Sequence, residues 1–352
     1  MKRALRYLSL ILGVTLVACA SPTVEPSDGS SEIPASKPTE SASANATTNA
    51  DPVELTVGLT YIPDIQFAPF YLADARGYFA DEGLSVNLRH HGAGESLFGA
   101  LIAGDEHVVN AGADEMLQAR SQGLGVTAFG LMYQDYPVVL IAREESGITD
   151  LADLKGATIG VPGPFGENWF ALLALLESAG LSQDDVTIEN IGFTLQTAMM
   201  SAKVDAVMGF SNNDVVALQT AGLKVRTFPV RDNPLKSIAL GARDTFVEHE
   251  GETLVKLRRA LARAMRDIIE DPDDAVQEAL PYLPKVSGAN RIAQAEDVLA
   301  ATAQLYGSEP MAIDPADWAP MADFMAEHAL LDSEVDPVRA VNALDEHSVT
   351  QD

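Results

Sequence analysis

Cysteine occurs once in the 352 residues, at position 19, so no internal disulfide can form and the fold must rest on a packed apolar core. Cationic side chains are scarce: 23 Lys and Arg stand against 51 Asp and Glu, for a net charge of -28. A surface that negative repels phosphate backbones and anionic lipid, which argues against nucleic acid as a partner. It does not decide what a pocket holds, because a few local groups set the potential there. Hydrophobic runs of membrane-spanning length are missing as well. The apolar stretch at residues 7–17 is shorter than the roughly 20 residues that a spanning helix needs.

That stretch follows Lys2, Arg3 and Arg6 and ends in Leu16-Val17-Ala18-Cys19. A basic start, a short apolar run and small residues before a cut site read as a signal peptide over residues 1–18. The box around Cys19 resembles the bacterial lipoprotein signal, which implies lipidation of Cys19, cleavage before it, and a protein held on the outer side of a membrane in a bacterial cell envelope. Residues 19–52 are dominated by Ser, Thr, Pro, Ala, Asn and Glu without apolar period or aromatics. They cannot bury enough apolar surface to offset their ordering entropy, and a flexible tether is expected.

The remaining 300 or so residues suggest two lobes on length alone. Strand-like runs at 55–59, 84–88, 108–111, 126–132 and 138–142 alternate with amphipathic stretches at 67–75, 97–103 and 115–122. Strands at 158–161, 186–191, 206–209 and 225–229 then alternate with helices at 168–179, 195–202 and 214–221. This is the pattern of an α/β fold with a largely parallel sheet. Past residue 232 the pattern turns helical after one strand at 238–242. A helix over 244–269 carries Leu254, Leu257, Leu261 and Met265 on one face, and further helices are expected at 296–306 and 319–329. The expected architecture is two-lobed: residues 53–134 begin lobe 1, 135–231 form lobe 2, and 232–352 return to lobe 1 and supply C-terminal helices.

In open α/β sheets a ligand sits beyond the carboxyl ends of strands, where helix N-termini converge. The strand-to-helix junctions therefore carry the candidate residues. After the first strand, Tyr61, Gln66 and Phe67 offer aromatic faces and an amide, while Phe70 and Tyr71 are read as sealing the next helix. At 90–96, Glu95 and Ser96 follow two Gly at a helix start, where Glu95 either caps the helix or touches a ligand. Adjacent His90 and His91 on a strand point to opposite faces and cannot easily share one metal ion, so no metal is expected. Asp114 and Glu115, again after a Gly, are capping groups or ligand contacts with equal weight. The loop at 162–169 is the most site-like: Pro and Gly shape it, Glu167 and Asn168 are polar, and Phe165 and Trp169 are aromatic. Asn212 and Asn213 precede the last helix, where one of them need only be an N-cap.

These junctions resemble the type II solute-binding proteins of ABC importers, in the branch that holds thiamine-precursor pyrimidine binders, riboflavin binders and alkanesulfonate or taurine binders. The likeness runs from Glu54 to about Ala242. It is carried by Tyr61-Ile62-Pro63-Asp64, Ala68-Pro69-Phe70-Tyr71, Gly77-Tyr78-Phe79, Glu82-Gly83-Leu84 and Leu151-Ala152-Asp153-Leu154-Lys155-Gly156. The resemblance implies a periplasmic-binding-protein-like fold that closes about hinges near 133–136 and 228–232, and partners in a permease and a cytoplasmic ATPase. It implies a monomer with no cofactor. Acceptors and aromatics at the junctions suit a planar nitrogen heterocycle, a thiamine-type aminopyrimidine first and a flavin second, with a sulfonate as the alternative. Eukaryotic members of the superfamily that make the thiamine pyrimidine need a site Lys beside a His. No junction here carries a Lys, so an enzyme is not expected.

Overall fold

The structure is a computed structural model that describes residues 51–344 apart from Ala93. The expected signal peptide, Cys19 and all but the end of the tether lie outside the described residues.

Two five-stranded sheets form the frame. The first has the order β2-β1-β3-β10-β4, from β1 (Val53–Leu59), β2 (Leu84–His90), β3 (Val108–Gly112), β4 (Val126–Leu131) and β10 (Ile238–Arg243). The second has the order β7-β6-β8-β5-β9, from β5 (Val138–Arg143), β6 (Thr158–Val161), β7 (Thr187–Asn190), β8 (Ala206–Phe210) and β9 (Val225–Pro229). The two orders are built alike. In each sheet the first three strands pair in parallel, β1 with β2 and β3, β6 with β7 and β8.

The sheets are mixed, where the strand-helix alternation suggested largely parallel ones. The reason lies in how the chain crosses between them. It leaves the first sheet after β4 through residues 132–137 and comes back after β9 through residues 230–237. The strand entered after each crossing, β5 or β10, runs against both its neighbours. Both crossings fall close to the expected hinges.

Burial follows the sequence pattern closely. β3 and β8, interior strands of their sheets, are mainly apolar and buried almost completely, as strands covered on both faces must be. Leu254, Leu257, Leu261 and Met265 of the helix Gly251–Glu270 are wholly buried against Leu55, Val57 and Leu59 of β1. The expected continuous helix from residue 244 is two helices, Asp244–His249 and Gly251–Glu270. The break falls at Glu250, just before Gly251, Gly being the poorest helix former after Pro. A second apolar cluster joins the sheets: Met116 and Leu117 of the helix Ala113–Ser121, Phe170 and Leu173 of the helix Gly166–Ser178, and Trp318 and Met325 of the helix Trp318–Glu327. Among the described residues no helix is long and apolar enough to cross a membrane.

Candidate functional site

A cavity of about 480 Å³ opens between the two sheets, within the range of small-molecule sites. Its walls come from the ends of strands in both. Thr60 and Tyr61 follow β1, Asn110 and Gly112 close β3, and Met132 and Tyr133 follow β4; Pro162 follows β6, Gly192 and Phe193 follow β7, and Phe210 ends β8. Ile238 opens β10, which runs the other way and so starts where its neighbours stop. The cavity thus lies beyond the carboxyl ends of the parallel strands, where such folds leave backbone groups unpaired.

Eight of the sequence-derived candidates line it: Tyr61, Gln66, Phe67, Glu115, Phe165, Glu167, Asn168 and Asn213. Tyr61 and Phe165 are half exposed, at 52% and 56%, and stand on opposite sheets. The Tyr61 carbonyl is within 3.0 Å of His90 Nδ1, and His90 Nε2 is 3.1 Å from the Tyr71 hydroxyl. Burial lowers the His90 pKa, which keeps the ring neutral and able to accept from Tyr71 while donating to Tyr61. His91 turns instead to Glu106, 2.9 Å away. The two histidines serve separate networks, and among the described residues no group of side chains could hold a metal ion.

Five candidates do not line the cavity. Glu95 and Ser96 are exposed and do not start a helix; the helix that follows is Gly99–Ala103. Glu95 is drawn back by Arg89 at 2.5 Å and the Gly92 N–H at 3.0 Å. Asp114 is buried behind the wall, accepting from Tyr136 Oη at 2.9 Å and the Glu115 N–H at 2.8 Å. Trp169 closes the site-like stretch at 162–169 and opens the expected helix at 168–179; the helix starts at Gly166, and the indole packs against two apolar clusters instead of the cavity. Asn212 is buried with Nδ2 donating to Thr302 Oγ1.

Sequence reasoning missed Thr60, Asn110, Met132, Tyr133, Phe193, Phe210, Asp214 and Ile238. Thr60 donates to the Asn110 carbonyl at 2.7 Å, holding β1 to β3 at the cavity edge. Asp214 accepts from the Phe210 N–H at 2.8 Å, and burial raises its pKa. It stands at the same helix start as Asn213, so the junction rule reached the place but not the residue. Phe193, 91% exposed at the rim, has no sequence signal at all.

The acidic groups are the electrostatic centre. Burial lifts the Glu115 pKa to about 7. Burial and the neighbouring carboxylates lift those of Asp114 and Glu167 well above the usual carboxylate range. Glu167 accepts from the Ser237 hydroxyl. Space for these groups depends on Gly112, where a Cβ would stand 2.6 Å from Asp114 Oδ1, 2.9 Å from Glu115 Oε2 and 3.1 Å from Glu167 Oε1. Lys, Arg and His are absent from the lining. The site can therefore accept hydrogen bonds and stack on a flat ring, but it offers no cation.

A family described as NMT1/THI5 like matches residues 64–275. The chain is 31% identical to the riboflavin-binding protein RibY of Chloroflexus aurantiacus over 97% of both chains. It is 27% identical to the formylaminopyrimidine-binding protein of Halalkalibacterium halodurans, over 64% of this chain and 69% of that one. A 4-amino-5-hydroxymethyl-2-methylpyrimidine phosphate synthase of Aspergillus parasiticus is 26% identical over 77% of this chain and 81% of its own. Among solved structures, the periplasmic aliphatic sulphonate binding protein SsuA of Escherichia coli superposes with a TM-score of 0.67 over 83% of this chain and 92% of that one, at 17% identity. That likeness bears on the fold, a two-lobed periplasmic-binding-protein fold with helices at its C-terminal end. With the family matched from Asp64 to Ala275 and one relative similar from end to end, the chain belongs to the NMT1/THI5-like family.

Proposed function

We propose that this protein is an extracytoplasmic solute-binding protein that captures a planar nitrogen heterocycle between its two lobes and delivers it to an ABC importer. The observation that carries this reading is the lining itself: aromatic faces from both sheets, three carboxyl groups in Glu115, Glu167 and Asp214, and no basic side chain. A heterocycle with N–H donors is complementary to that set. A sulfonate would bring a negative charge into a lining with no cation to balance it, which is costly to bury. The full-length likeness to a riboflavin-binding protein and a cavity of about 480 Å³, roomy for a single ring, reverse the order expected from sequence. A flavin comes first and an aminopyrimidine second.

The same lining speaks against the synthase reading, because it contains neither the Lys nor the His that the resemblance requires of the pyrimidine-forming enzymes. In this reading lobe 1 is residues 53–134 and 232–352 and lobe 2 is 135–231, the protein acts as a monomer, and lipidated Cys19 tethers it to the membrane beside a permease and its ATPase. A thermal-shift panel of riboflavin, an aminopyrimidine, thiamine and taurine tests the ligand class, since a ligand that binds only the folded state raises the melting temperature. Riboflavin is expected to stabilise most. Stabilisation by taurine alone would overturn the heterocycle reading. Loss of membrane association in a Cys19→Ala variant tests the anchor.

A further inference from the structure

The three carboxyl groups around Gly112, Asp114 and Glu167 buried and Glu115 half-buried at the cavity wall, belong to different parts of the fold. Asp114 and Glu115 start the helix that follows β3 of the first sheet, and Glu167 lies in the first turn of the helix that follows β6 of the second. Each is tied to something that would move in a hinge motion. Asp114 accepts from Tyr136, which lies in the first crossing. Glu167 accepts from Ser237, which lies in the second. Glu115 approaches Gly166 so closely that a Cβ there would sit 3.3 Å from its Oε1. Gly166 itself has φ +68°, a conformation that favours Gly.

Carboxylates this close cannot all be ionised when water is excluded. The side chains bonded to them are a phenol and an alcohol. Tyr133, on the cavity wall, is a further titratable group that feels the Glu167 charge. The basic residue beside Ser237, Lys236, is held by Asp317 at 2.9 Å, and Arg120, on the same helix as Asp114, is held by Asp244 at 2.6 Å. With the lobes together, charge balance at the cluster must come from protons. With the lobes apart, Glu115 and Glu167 return to water and ionise as ordinary carboxyls.

We infer that this cluster is a proton-operated latch at the hinge: bringing the lobes together takes up protons, so mildly acidic surroundings favour the closed form and alkaline ones the open form. The role rests on the solute-binding reading above, in which closure retains the ligand, but the motion itself can be followed without one. Closing at a pH where the open form is ionised and the closed form is not gives a closure constant that falls with rising pH in proportion to the protons taken up.

Small-angle scattering of the ligand-free protein at about pH 6.5 and about pH 8.5 decides the point. Burial holds the His90 pKa below its ordinary value, so that ring is mainly neutral across the window. The latch requires a smaller radius of gyration at the lower pH. It also requires the difference to shrink in Asp114→Asn, a near-isosteric change at a residue outside the cavity lining. Identical scattering by the wild-type protein at the two values overturns the latch, whether or not the variant folds. Calorimetry with riboflavin at both values separates the two ideas. Binding at least about tenfold tighter at the lower pH, with net proton uptake, supports the latch. Equal affinity with no proton uptake overturns it and leaves the ligand reading standing. Absence of riboflavin binding alongside pH-dependent compaction removes riboflavin as the ligand and leaves the latch.

Discussion

Asn212 Nδ2 donates to Thr302 Oγ1 over 2.9 Å, and both side chains are buried. Asn212 stands in the turn after β8 of the second sheet, and Thr302 near the end of the helix Ala289–Ala303, which packs in the core of the first. The bond therefore ties the two lobes together. A Thr302→Val substitution keeps the shape and removes the acceptor, costing a buried amide its hydrogen bond to Thr302. The expected cost is about 1–3 kcal/mol, read from the urea midpoint. Because the bond exists only while the lobes touch, ligand affinity should weaken in parallel; a stability loss with unchanged affinity would show that the bond persists when the protein opens.

Trp169 and Phe165 are four residues apart and should behave oppositely. Trp169 packs against the apolar clusters of both lobes, so Trp169→Ala is expected to lower stability by about 2–3 kcal/mol, short of the cost at a fully buried site. Phe165 is 56% exposed at the cavity, so Phe165→Ala should leave the melting temperature nearly unchanged and weaken ligand binding several-fold. Melting curves and titrations on the two variants check both statements. Equal melting temperatures would show that the indole does not join the lobes.

This contrast marks how far the sequence could be read. Periodicity placed Leu254, Leu257, Leu261 and Met265 correctly because burial of a helix face is a local property, repeated every three or four residues. The junction rule found Tyr61, Gln66, Glu115, Glu167 and Asn168 because ligand cavities in α/β folds gather at strand ends. It failed for Trp169, which lies within the helix that starts at Gly166 and packs against apolar clusters, because which way a helical side chain faces is set by the tertiary neighbours and not by its nearness to the junction. It failed for Ser237 and Tyr136 for another reason. Neither sits at a strand-to-helix junction, and only the return of the chain across the hinge brings them to Glu167 and Asp114. Contacts between residues 22 and 70 apart in sequence leave no periodic trace.

The pH dependence of folding follows from the raised carboxyls. Glu115 has a folded-state pKa of about 7 against roughly 4.3 when unfolded, so the folded chain binds a proton that the unfolded chain releases. Stability from this residue is unimpaired below the unfolded value and falls as pH rises through the folded one. Asp114 and Glu167 act in the same direction. Asp185, with its pKa lowered to about 2 by the Ser182 N–H and Lys155, acts in the opposite one, with stability lost only as pH falls toward that value. The melting temperature should peak on the acid side of neutrality and decline toward pH 8. Glu115→Gln should flatten the decline and stabilise the protein at about pH 8 by about 2 kcal/mol. A wild-type melting temperature that rises steadily to pH 8 would refute this.

Phe193 offers the cleanest separation of binding from folding. Its ring is 91% exposed at the rim of the cavity, on the turn after β7, and reaches that position through Gly192 at φ +57°. An apolar side chain so exposed contributes little to the fold, and Phe193→Ala should change stability by no more than about 0.5 kcal/mol. An aromatic ring at a cleft mouth can instead cover a bound heterocycle and lose its own contact with water when it does so. Burial and stacking together would contribute about 1–2 kcal/mol to the complex, roughly a 5- to 30-fold effect on affinity. That effect should fall on dissociation, since the encounter does not require the ring. Stopped-flow displacement of riboflavin, followed by its fluorescence, should show faster release from the variant at an unchanged association rate. Equal release rates would place Phe193 outside the bound complex and leave its exposure to be explained by another contact surface.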